Sequence, residues 1–144
     1  MKKIPLIILL VITTLISRAQ TTVHIVANIA SGCSFTTKLL AYLPSGTGCT
    51  FFIASNPIVL TAGSGGAGGT YTTTSPIWPV TLPGSAQIKG AIVTPSPCST
   101  TYTVGDACTG YASSAWMICG SCYKFNNNCR WSVAAGDAEL TITQ

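Results

Sequence analysis

Apolar and polar residues alternate along much of this chain with a period of two. In TVHIVANI (22–29), Val23, Ile25, Ala27 and Ile29 fall on one side, with His24 and Asn28 on the other. In AELTITQ (138–144), Ala138, Leu140 and Ile142 oppose Glu139, Thr141 and Thr143. Successive side chains of a strand point to opposite faces, so both stretches predict half-buried β-strands. Weaker strand patterns cover 35–43, 50–54, 57–62, 70–74, 87–94, 100–105, 111–118 and 129–133. Helical periodicity is scarce, and the turn clusters PSGTG, GSGGAGG, LPGS, TPSP and NNN separate the runs. Short strands at this spacing predict an all-β protein, a small antiparallel β-sandwich.

The first residues break the pattern. MKKIPLIILLVITTLISRA (1–19) has a basic start at Lys2 and Lys3 and an apolar run, with Ser17 and Ala19 placed for a cut after Ala19. The run is shorter than the ~20 residues that span a bilayer. It predicts a cleaved secretory signal of bacterial type, and a secreted product at the cell surface, in the periplasm or beyond it. No second long apolar run follows, so no membrane insertion is expected after cleavage. Residues 20–144 are expected to form a single β-sandwich domain, long enough to bury a core.

Removing the signal changes the charge. The formal +4 loses Lys2, Lys3 and Arg18, leaving Lys38, Lys89, Lys124 and Arg130 against Asp106, Asp137 and Glu139, a net +1. Without a basic patch, nucleic acid is a poor partner. Solubility rests on Thr, Ser, Asn and Gly, and weak charge repulsion favours self-association.

All seven cysteines, Cys33, Cys49, Cys98, Cys108, Cys119, Cys122 and Cys129, follow the signal. Export into an oxidising compartment makes them disulfide candidates. An odd number leaves one thiol over, free or bridging to another molecule. If 35–43 is a strand, Cys33 and Cys49 stand at its opposite ends, too far apart to bond. Cys98 and Cys108 flank a segment able to fold back and form a plausible pair. Cys119 and Cys122, at an odd offset, face opposite sides and seek different partners, with Cys129 a fair partner for one of them. CGSCYKFNNNC (119–129) therefore reads as a hairpin tied into the fold. A redox reading of its C-x-x-C lacks the helix that activates such thiols. A zinc reading through Cys108, Cys119, Cys122 and Cys129 has irregular spacing. No metal and no cofactor is expected.

Catalytic groups are few. His24 is the single histidine and lies on a polar strand face; no G-x-S-x-G is present. Asp137 and Glu139 read as solvated acids near a turn. GSGGAGG (63–69) leads into a strand and lacks the Lys of a phosphate loop, so it reads as a connection. Among the tryptophans, Trp116 and Trp131 sit in strand candidates and are expected in the core. Trp78 lies in SPIWPVTLP (75–83), stiffened by Pro76 and Pro79. It is the binding candidate, against the alternative of a ring folded over the sandwich edge.

LTAGSGGAGGTYTTT (60–74) resembles the glycine-before-strand pattern of immunoglobulin-like surface domains. The resemblance implies an immunoglobulin-like sandwich and carries no functional residue. The function expected is a non-enzymatic binding or adhesion module, contacting glycan or protein through loops and Trp78. The alternative is a self-associating structural surface or matrix protein, joined through the odd cysteine. A small thiol-redox protein or hydrolase is the least supported.

Overall fold

The computed structural model describes residues 22–123, 128–134 and 136–144. The signal segment 1–19 with its cut site, and residues 124–127 of the cysteine hairpin, lie outside the described residues. The strands are β1 (Thr22–Asn28), β2 (Ser34–Ser45), β3 (Gly48–Ala54), β4 (Ile58–Thr61), β5 (Ala67–Thr72), β6 (Gln87–Pro95), β7 (Tyr102–Gly105), β8 (Ser114–Ala115), β9 (Cys129–Ala134) and β10 (Asp137–Thr143). One sheet, sheet A, has the order β5-β1-β10-β9-β8. The other, sheet B, has the order β3-β2-β6-β7, with β4 also on β2.

The expected all-β, sandwich-like architecture is present. One correction applies: the sheets are not wholly antiparallel, because β1 and β10 run parallel. These strands come from opposite ends of the described chain, so no hairpin dictates their direction. Their register matches apolar position to apolar position: Val23 with Ala138, Ile25 with Leu140, Ala27 with Ile142. All six are buried, and a slip of one residue would turn either set into water. From sheet B, Phe35, Leu39, Ala41, Ile88, Ala91, Val93 and Val104 complete the core.

Local chemistry shapes the edges. β3 and β4 share one edge of β2, on either side of a break at 55–57. There the Ser55 hydroxyl accepts the Leu39 N–H at 2.9 Å, and the Ser55 N–H donates to the Leu39 carbonyl at 2.8 Å. A side-chain oxygen thus replaces a ladder acceptor on a buried strand, where an unpaired N–H is costly. The glycine run is more than a connection, since Ala67, Gly68 and Gly69 belong to β5. A Cβ at Gly68 would lie 2.5 Å from the Ile25 carbonyl oxygen, so a side chain there would push β5 off β1. The strand expected at 111–118 shrinks to Ser114–Ala115.

Three disulfides brace the sheets: Cys33–Cys122, Cys49–Cys108 and Cys98–Cys119, with Cα separations of 5.8, 5.6 and 5.9 Å. Cys33 and Cys49 are apart, and Cys119 and Cys122 take different partners, as expected. The Cys98–Cys108 pairing is corrected. Extended β7 lies between them and carries Cys108 away from Cys98, the argument that also separates Cys33 from Cys49. Cys129 is also corrected, being the free thiol, fully buried on β9.

Candidate functional site

The two sheets treat their outer faces differently. On sheet B, Leu40 and Tyr42 point away from the core, since Leu39 and Ala41 between and beside them belong to it. Both are nevertheless buried. Their cover is the segment that follows β7. β7 and β3 form opposite edges of sheet B, yet Cys108 bonds Cys49 on β3. The chain therefore crosses back over β6 and β2 as a strap. A short 3₁₀ turn, Ala107–Thr109, lies in this strap. At its root Asp106 donates its N–H to the Lys89 carbonyl at 2.8 Å, and its carboxylate meets Lys89 Nζ at 3.0 Å. Phe51 packs edge-on against Tyr42, with centroids 5.6 Å apart. The Tyr42 phenol titrates above its ordinary value, first through burial and second through Tyr111 beside it.

Among the described residues the outer face of sheet A has no such cover. Register places its side chains in rows. Thr70, His24, Glu139 and Ser132 stand side by side across β5, β1, β10 and β9. Val26, Thr141, Arg130 and Ser114 form the next row across β1, β10, β9 and β8. Residues alternating with these face the core, so the polar identities are what period-two alternation demands of a solvated face. An open depression of about 690 Å³ lies over this surface, lined by Arg130, Glu139 and the hydroxyls of Ser113, Ser132, Thr141 and Thr143. The Glu139 carboxylate accepts the Thr141 hydroxyl at 2.7 Å. Among the described residues Arg130 forms no ion pair.

The row Thr70, His24, Glu139 has the composition of a hydrolytic triad. His24 Nδ1 lies 3.1 Å from Thr70 Oγ1. Glu139, however, is held by Thr141, and the row lies on an open sheet face. An acyl-transfer site needs a general base oriented by its acid and backbone donors gathered around a reacting oxygen.

The tryptophans exchange the roles expected of them. Trp78 is 9 % exposed, belongs to the core cluster, and donates its indole N–H to the Thr72 carbonyl at 2.9 Å. Only its rim reaches a hollow of about 290 Å³ beside Thr74, Pro76 and Leu82. The flanking prolines keep the segment out of a strand, as expected, and the ring folds inward, the alternative weighed for it, so the candidacy of Trp78 as an exposed binding aromatic is corrected. Trp131 is buried, as expected. Trp116, expected in the core, is 53 % exposed. It is in phase with Ser114 and Ile118, while Ala115, Met117 and Cys119 turn inward. Trp116, just past the end of β8, therefore stands on the outward side of sheet A, outside the lining of the depression. The missed signal was phase: in SSAWMIC the tryptophan shares its parity with serine, and in CRWS arginine does.

The cysteine cluster carries no chemistry of the kinds considered. Cys108, Cys119 and Cys122 belong to three different bridges, so no set of thiolates remains for zinc, and the C-x-x-C pair does not close on itself. Burial pushes the Cys129 thiol up to about 12, the reverse of an activated cysteine. The chain matches no family model, no curated protein and no solved structure.

Proposed function

We propose that the protein is an exported, non-enzymatic binding or adhesion module, an immunoglobulin-like sandwich that contacts glycan or protein through the outer face of sheet A. The observation carrying this reading is the contrast between the faces. Sheet B is closed by a disulfide-tied strap, while sheet A presents a hydroxyl-lined depression, open among the described residues, with Arg130 and Glu139 on paired strands. Side chains on paired strands are pre-organised, which lowers the ordering cost of binding. Three bridges support an oxidising destination, in line with the signal-like start.

The test is retention of the secreted protein, with its disulfides intact, on glycan arrays and on cell-surface and matrix material. Retention that is lost when Arg130 and Trp116 are replaced together is the expected result. No retention on any of these surfaces would overturn the reading.

A second reading, self-association into a surface or matrix layer, draws on a different place. β3 is an edge strand without charge, and Phe51 and Phe52 on it are 53 % and 38 % exposed. Uncharged apolar edges invite pairing with another strand. Cys129 is too deeply buried to serve as the link. Sedimentation across a range of concentrations separates a monomeric binder from such an assembly.

A further inference from the structure

We propose that export creates a modification site at Gln20: the cut after Ala19 frees its α-amine, Gln20 closes to a pyroglutamyl ring, and the hollow beside Trp78 receives that ring. The inference rests on the export reading alone and goes beyond it.

The chemistry is that of any N-terminal glutamine. The amine nitrogen attacks the side-chain Cδ and a C–N bond forms. The bond from Cδ to the carboxamide nitrogen breaks, and that nitrogen leaves as ammonia with a proton from the amine. No oxidant, cofactor or second substrate enters. The step needs a free amine, which Gln20 has only once its peptide bond to Ala19 is gone.

Register puts the new end beside the hollow. β1 opens at Thr22, and Thr22 is paired with Thr72, the last residue of β5. The hollow begins at the next residue, with Thr73, Thr74 and Ser75 on one side and Trp78, Val80 and Leu82 across from them. Gln20 precedes Thr22 by two residues, and two residues reach at most ~7 Å. The walls are fixed in advance. The Ser75 hydroxyl accepts the Thr72 N–H at 2.8 Å, the Trp78 indole donates to the Thr72 carbonyl at 2.9 Å, and the Asn56 N–H donates to the Ile77 carbonyl at 2.8 Å.

The lining selects the occupant. No Asp, Glu, Lys or Arg is among the described residues that line the hollow. A charged amine would lose water there without gaining a partner. The lactam is neutral. Its CH₂ groups match Val80, Leu82 and the rim of Trp78, and its amide matches the hydroxyls opposite. The volume, about 290 Å³, lies at the bottom of the ~300–1,000 Å³ range of ligand pockets, which suits one small ring. A separate peptide or a second copy would lose translational freedom on entering. The chain's own end is already held within reach, at high effective concentration.

The test uses the secreted protein with its disulfides intact. Its intact mass should correspond to a chain that starts at residue 20 and has lost one ammonia, and it should resist stepwise N-terminal degradation. Pyroglutamyl aminopeptidase should release the ring at least about tenfold more slowly from the native protein than from the reduced and alkylated chain, since cleavage waits for local opening. Val80→Arg, at a position 47 % exposed, lays a long charged side chain across the hollow and should remove most of that protection without changing the mass deficit or the melting temperature. A chain that starts at residue 20 with a free amine overturns the modification. Equal release from native and unfolded chains, or protection that Val80→Arg leaves intact, overturns the seat in the hollow. A cut at another bond overturns the whole inference and leaves export standing. A chain that keeps residues 1–19 and stays in the cell overturns both.

Discussion

The outer faces of the two sheets are built from the same alternation and end in opposite states. On β2, Lys38, Leu40 and Tyr42 point outward, and the chain covers the last two with its own strap. On β9 and β10, Arg130, Ser132, Glu139 and Thr141 point outward and stay open. Among the described residues, the chain covers the face where Leu40 and Tyr42 point outward and leaves open the one that carries Arg130 and Glu139. A strap adds ordering entropy, and this one is offset by burying Leu40 and Tyr42 and by the Cys49–Cys108 bridge, which restricts the unfolded chain. No comparable return is available over Arg130 and Glu139, where a cover would have to desolvate charges. An open charged face on a rigid sheet is therefore available for a ligand.

The largest effect expected is from removing the bridges. Full reduction should lower the melting temperature severely, since a native bridge in a small secreted domain contributes about 2–5 kcal/mol against a typical total of about 5–15 kcal/mol. An unchanged melting curve after equilibrated reduction would contradict this. Removing only the strap bridge, by Cys49→Ala with Cys108→Ala, tests the comparison itself. The loss should be on the order of 2–5 kcal/mol. Binding of a hydrophobic dye should rise as Leu40 and Tyr42 open, and the Tyr42 phenol should titrate closer to its ordinary value. If the dye response stays flat, the strap is not what covers sheet B.

Trp78 and Trp116 make the next contrast. Trp78→Ala should cost about 3–5 kcal/mol of stability, the range for truncating a buried large aromatic. Trp116→Ala should stay within about 0.5 kcal/mol, as exposed substitutions do. Thermal unfolding of the two variants checks the pair, and comparable losses would mean that the open face is part of the packed structure.

These two residues also show how far the sequence could be read. The strands with strong alternation, 22–29 and 138–144, were legible because each inward position is aliphatic and the outward positions, Val26 apart, are polar. The parallel pairing of those strands was not legible, because both have the same pattern in either direction. For Trp78 the sequence leaves open a binding loop or a ring folded over the sandwich edge, because proline content reports backbone stiffness and says nothing of which way a ring turns; the ring takes the second course. Trp116 and Arg130 were legible in principle, through their parity with Ser114 and Ser132. In a short strand that parity carries weight only once a neighbouring strand fixes the register. The cysteine pairing depends on which strands share an edge, and that is a property of the whole topology.

Alkaline pH tests the inner side of β9, one residue from Arg130. Cys129 ordinarily titrates near 9 and is pushed to about 12 by burial. Burial likewise pushes Tyr123, whose hydroxyl donates to the Ser34 carbonyl at 2.9 Å, from 10 to about 12. Between pH 9 and 12 the unfolded chain gives up protons that the native one retains. The unfolded state then binds fewer protons, so stability falls as pH rises through that window. Denaturant midpoints should decline from about pH 9 upward, and Cys129→Ala should make the decline shallower. Native Cys129 should also resist alkylation at pH 8 until the protein is unfolded. A midpoint that does not change with pH up to 11 would show that the thiol is not in the interior.

The smallest effect concerns the clasp at the root of the strap. Lys89 and Asp106 meet at 3.0 Å with side chains 17 % and 28 % exposed, so water still reaches the pair. β6 carries a register shift against β2 here, with Leu40 opposite Gly90 and Ala41 opposite Ile88, which leaves Lys89 unpaired in the ladder and free to turn outward. Its carbonyl then takes the Asp106 N–H, so the backbone fixes the strap's departure from β7 whether or not the charges meet. Part-exposed ion pairs contribute roughly 0.2–1 kcal/mol and weaken with salt. Lys89→Met should therefore lower stability by less than about 1 kcal/mol, and the difference should shrink further in 1 M salt. It should leave the dye response of sheet B unchanged, in contrast to loss of the Cys49–Cys108 bridge. If Lys89→Met instead releases dye-binding surface to the extent that the cysteine double variant does, then charge rather than the bridge holds the strap down. The cover on sheet B would then loosen with salt while the open face of sheet A stayed as it is.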